Sequence, residues 1–152
     1  MKQIFITVIT LGASIVVAAA QSAKEPYNPG LGEFMTATQL RHAKLWFAGK
    51  DSNWDLAAYE IDEIKEGLED AARLHPNFDG VPVADMIKSI INPRIEELER
   101  VITAKSLAKF VVAFDELTSS CNSCHAAANK PFIQIQRPTA PPLTNQNFSP
   151  AK

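Results

Sequence analysis

Residues 106–131 read SLAKFVVAFDELTSSCNSCHAAANKP. Within them Leu107, Phe110, Phe114, Leu117, Cys121, Cys124 and Ala128 recur at alternating steps of three and four, which puts all seven on one face of an α-helix. An uninterrupted 3,4 alternation is the seam along which packed helices meet. Ser106 stands at the N-cap position, and Lys130-Pro131 closes the segment because proline disfavours a helical residue before it. The stripe is the core-facing side of a helix, and both cysteines of the chain lie on it.

Working outward, three more segments share the period. Residues 31–48 place Leu31, Met35, Thr38, His42 and Leu45 on one stripe, with Phe34 and Trp46 at its edges and Gly49 ending it. Asp51 or Ser52 caps a second helix, where Trp54, Ala57, Ala58, Ile61, Ile64, Leu68 and Ala71 recur, and which stops at His75 before Pro76. A turn-prone NFDGVP and a short apolar connection, residues 83–91, follow. Asn92 then caps a third helix with Pro93 at its first position, Ile95, Leu98 and Ile102 as its seam, and an end near Ala104. No alternating run is long enough for a sheet and no segment repeats. The pattern predicts an all-α antiparallel four-helix bundle within residues 21–130, residues 21–30 being an irregular lead-in. Residues 131–152 hold five of the ten prolines and no acid, which predicts an extended tail. Phe132, Ile133 and Ile135 should pack back on the bundle, while residues 144–152 have little to bury except Phe148.

The chain has 152 residues, 46% hydrophobic and 21% charged, with a net charge of -2. That suits one packed domain and removes the basic excess a phosphate-neutralising nucleic-acid binder needs. Two cysteines exclude a disulfide framework. Residues 1–20, MKQIFITVITLGASIVVAAA, carry one lysine, an apolar run and small residues at the end, the pattern of a cleavable signal peptide. An apolar helix of about fourteen residues rises only about 21 Å, short of a hydrocarbon core about 30 Å thick, so no permanent membrane span is expected. Cleavage before Gln21 would deliver the domain to the periplasm.

Cys121-Asn122-Ser123-Cys124-His125 is C-x-x-C-H, the attachment signature of c-type haem. Positions i, i+3 and i+4 share a helix face, so both sulfurs reach one porphyrin edge and His125 addresses the iron from the same side as the proximal ligand. The motif predicts one covalently attached haem c. Three other chemistries use the same residues: a thioredoxin-like dithiol, which wants a βαβ context absent here; a zinc site recruiting the distant His42 and His75; and a Cys121–Cys124 disulfide. No nucleophile elbow, phosphate loop or zincin helix marks an ordinary enzyme. The stretch 51–75, with eight acids and two bases, reads as a solvated face carrying Glu63, Glu66 and Asp70 opposite the apolar stripe; its functional alternative is a docking face for a basic redox partner.

A signal peptide, four helices and CNSCH near the end of the last one resemble the cytochrome c prime family, including its low-spin relatives with methionine at the iron. The similarity covers residues 31–130, with AGKDSNWDLAAY between the first two helices and LHP after the second as supporting elements. Where the family usually has a basic residue four positions after the haem histidine, this chain has Asn129, followed by Lys130. The resemblance implies haem c enclosed by the bundle, His125 proximal, and a distal side built from the first helix. It implies Met35 as the sixth ligand, with Phe34 at the adjacent register leaving an open site and His42 as a second candidate. The function implied is single-electron transfer by a non-enzymatic cytochrome with an unspecified redox partner protein, in a possible homodimer through the first two helices; the alternative is a haem protein binding nitric oxide or carbon monoxide at an open distal site.

Overall fold

Gly30 opens the first helix, α1 (Leu31–Lys50), and its N–H donates to Glu33 Oε1 at 3.2 Å, satisfying one of the donors that a helix start leaves free. The computed structural model describes residues 27–151; the leader expected over residues 1–20 lies outside them. α1 does not stop at Gly49. It runs on to Lys50, and glycine is used there for contact: the ring of Phe110 occupies the space a Cβ on Gly49 would fill. A left-handed Ser52 (φ 59°) turns the chain. The cap of α2 (Trp54–Leu74) is therefore Asn53, whose side chain accepts from Leu56 N–H at 3.2 Å, and neither Asp51 nor Ser52.

The third rod departs most from the sequence reading. α3 (Val83–Met86), a π-helical turn (Ile87–Ile91) and α4 (Asn92–Thr103) follow one another without a break. Pro93 thus sits inside a continuing helix instead of starting one. It has no N–H to donate, and its ring would meet the preceding turn of a regular helix. The wider turn just before it, closed by Asn92 N–H on Ile87 O, relieves both. The apolar residues call for the same turn. Val83, Ile87, Ile91 and Ile95 are all buried and four apart, and at 3.6 residues per turn each such step overshoots the face by about 40°. The π turn absorbs that excess. α5 (Leu107–Ala127) follows and ends at Asn129 in the left-handed conformation (φ 59°), with Lys130 N–H on His125 O at 2.8 Å.

Neighbouring rods run antiparallel. Arg41 and Lys44 of α1 reach Glu60 of α2, Lys65 of α2 reaches Glu99 of α4, and Arg94 of α4 reaches Glu116 of α5. The fold is all-α, with four rods and no β-strand among the described residues. No helix among them is long and apolar enough to cross a membrane. The core runs through Leu45, Ile61, Ile64, Ile95, Leu98, Phe110, Phe114 and Leu117, all at most 2% exposed. Glu60, taken above as part of a solvated acidic face, is fully buried, its carboxylate 2.6 Å from Lys44 Nζ and 3.2 Å from Arg41 Nη1. A buried carboxylate is tolerable only with such partners.

Residues 131–151 contain neither helix nor strand. They return along α5: Ile135 meets Asn122, Arg137 meets Asp115, and Phe148 packs on Phe47 with ring centroids 5.6 Å apart. Phe148 is 5% exposed, and Asn53 Nδ2 donates to the carbonyls of Phe148 and Ser149. The far end of the tail is therefore anchored, against expectation, whereas Phe132 is 77% exposed and does not pack back.

Candidate functional site

α1 and α5 are in register where they touch. Gly49 lies against Phe110, Trp46 against Phe114, and His42 against Thr118. Above that level the side chains give way to a cavity of about 390 Å³, within the roughly 300–1,000 Å³ range of small-molecule and cofactor sites. α1 lines it with Leu31, Met35, Thr38 and His42; α5 lines it with Leu117, Cys121, Cys124 and His125. Ile64 and Leu68 of α2, Val83 and the π-turn residues Ile87 and Ile91 close the back, and Ile133 and Ile135 of the tail form a side wall. The sequence stripe thus delivers both cysteines, His125, Met35 and His42 to one mostly apolar space.

Depth separates the two candidates on α1. From the pair His42–Thr118, seven residues toward the start of α1 lead to Met35, and seven residues along α5 lead to His125. Two turns of each antiparallel helix bring Met35 level with His125. His42 remains about 10 Å lower along the axis, at 1.5 Å per residue. Its ring is also committed: Thr118 Oγ1 donates to Phe114 O at 2.9 Å, so it accepts from His42 Nε2–H at 2.8 Å. Stacked at 4.3 Å on Phe114 and buried, His42 has its pKa pushed down to about 4 by desolvation and is neutral. Phe34 does not line the cavity; it lies edge-on to His75, whose Nε2 donates to Pro29 O at 2.8 Å.

On α5 the protonation states follow from partners. A carbonyl only accepts, so the 3.1 Å contact between His125 Nδ1 and Ile133 O places the proton on Nδ1 and leaves the Nε2 lone pair free. Cys121 and Cys124 are unbonded thiols. Burial pushes Cys121 up to about 11 and Cys124 upward as well, the opposite of what a free thiolate nucleophile requires. No group of three or more His, Cys, Asp or Glu side chains among the described residues is arranged to hold a bare metal ion. One buried hydroxyl, Thr38 Oγ1, has no partner; it is shielded from the cavity and lies toward Gly67 of α2.

Sequence reasoning missed Thr118, Asn122 and Ile133. Asn122 and Ser123 are the free positions of C-x-x-C-H, and Ile133 acts through its backbone carbonyl, which no side-chain pattern encodes. No family model, curated protein or solved structure matches the chain.

Proposed function

We propose that this protein is an exported monohaem c-type cytochrome carrying single electrons, a four-helix-bundle protein like the cytochrome c prime family and its low-spin, methionine-ligated members. When bound, haem supplies an iron that gains and loses one electron. Cys121 and Cys124 would hold the group through thioethers, and His125 Nε2 and Met35 Sδ would be the donors to its iron. The observation that supports this most is the 3.1 Å contact between His125 Nδ1 and the backbone carbonyl of Ile133. The ring's Nδ1–H is given to that carbonyl and its Nε2 is left as a lone pair, the arrangement that metal-bound histidines adopt. The apolar walls agree with a large, mostly apolar occupant. Met35, level with His125 across the cavity, supports two-sided ligation over the lower and hydrogen-bonded His42.

Expression with a signal peptide in a bacterial host that has haem-attachment machinery tests this. A haem stain surviving denaturation and a low-spin, six-coordinate spectrum are the expected results. A stained but high-spin, five-coordinate protein would transfer the assignment to capture of nitric oxide or carbon monoxide. An unstained, correctly exported protein overturns the haem reading.

A further inference from the structure

The tail is tied to the bundle at four places. His125 Nδ1–H donates to Ile133 O; Asn122 exchanges two hydrogen bonds with the backbone of Ile135, Nδ2 to the carbonyl at 2.8 Å and Oδ1 from the N–H at 2.7 Å. Arg137 forks onto Asp115 and lies 4.3 Å from the ring centroid of Trp46. Phe148 is buried against Phe47 beside the Asn53 cap. Phe132 lies outside these ties, so its burial does not explain the path. The Asn122 bonds engage both polar groups of one extended residue, as a neighbouring strand would. They fix the peptide two residues from the carbonyl that receives His125.

We propose that residues 133–148 form a clasp that orients the imidazole of His125, with Asn122 as its positioning residue. This rests on the haem reading above. A ring N–H held on a carbonyl fixes the tautomer and makes the opposite nitrogen a stronger donor, which favours the ferric state and lowers the reduction potential. Loosening the clasp should therefore raise the potential without removing a ligand or a thioether.

The full-length exported protein carries the test. Asn122→Ala should keep its haem stain, speed exchange of the His125 ring N–H proton with D2O about tenfold or more in the diamagnetic ferrous protein, and raise the ferrous-to-ferric ratio at a fixed ambient potential by about threefold or more. Asn122→Asp, which keeps the acceptor for Ile135 N–H but loses the donor, should fall between. Arg137→Ala, outside the motif, should shift both readouts in the same direction by less. A haem-loaded, stably folded Asn122→Ala protein with both readouts unchanged overturns the clasp. The amide of Ile135 gives a readout independent of haem: slow exchange in the wild type and fast exchange in Asn122→Ala support the clasp, and fast exchange in the wild type refutes it. An unstained protein with a protected Ile135 amide would refute the haem reading and leave the clasp standing.

Discussion

Gly49 and Phe110 compete for one space: a Cβ on Gly49 would stand 2.1 Å from Cζ of the phenyl ring, and that ring is completely buried. Phe110 in turn stacks with Trp46 and meets Trp54 edge-on, so it has no empty direction in which to retreat. Gly49→Ala, a gain in helix propensity on an open surface, should here destabilise the protein by about 1–3 kcal/mol through overpacking. Thermal unfolding checks this, and an unchanged or raised midpoint would mean that α1 and α5 are looser than they stand.

Loss of either Cys121 or Cys124 to alanine should weaken haem attachment, and loss of both should abolish it. The reading is the stain after denaturation, normalised to exported protein. Since the cavity lies between α1 and α5, haem-free chains should also lose cooperative unfolding; a sharp melt without haem would contradict that.

Met35→Ala should remove the weak near-infrared band of a methionine–iron bond from the oxidised protein and convert it to high spin. His42→Leu should leave that band in place, because His42 is engaged with Thr118 at a lower level of the bundle. The reverse pattern would make His42 the ligand.

His42 also predicts a pH dependence. Its folded pKa, near 4, lies below the ordinary 6.5, so the unfolded chain takes up the proton first as pH falls. Stability from keeping this ring neutral is fully present above pH 6.5, declines between 6.5 and 4, and levels off below, a loss of about 3 kcal/mol. Chemical unfolding at pH 4.5 and 7 should show a smaller difference in His42→Leu than in the wild type. Equal differences would show that His42 is not the group responsible.

Phe148 makes the end of the tail harder to remove than its exposed middle. Limited proteolysis should first cut the largely exposed run 139–147, and Phe148→Ala should accelerate that cleavage several-fold by freeing the segment. Stepwise trimming inward from the C-terminus, with Phe148→Ala no faster, would show that the anchor is weak.

What the sequence disclosed depended on how strongly each feature is encoded side chain by side chain. The 3,4 stripe from Phe110 to Cys124 is repeated often enough that helix, buried face and cysteine placement all follow from it. Pro93 was ambiguous because proline favours a first turn as readily as it disrupts an interior one; the four-residue spacing of Val83, Ile87, Ile91 and Ile95 was the available clue to a wider turn. Asn53 displaced Asp51 and Ser52 as the cap because the backbone at Ser52 turns left-handed, a tertiary choice. Phe148 looked stranded among polar residues, and only the distant Phe47 and Asn53 explain its burial. At the site, the residue types announced themselves while the hydrogen bonds that set their protonation, Thr118 to His42 and Ile133 to His125, came from parts of the chain with no motif of their own.

The π turn before Pro93 also fixes how the chain tolerates changes in length. Removing one residue from 87–91 would let a regular helix close, and because eleven residues at 100° make about three full turns, Val83 would stay within about 20° of the face of Ile95. Val83 lines the cavity and Ile95 belongs to the core, so that deletion would keep the two coupled, whereas one added residue would swing Val83 about 100° around the axis with every other side chain unaltered. Substitutions and a single deletion in this stretch act locally; an insertion re-aims everything upstream of it.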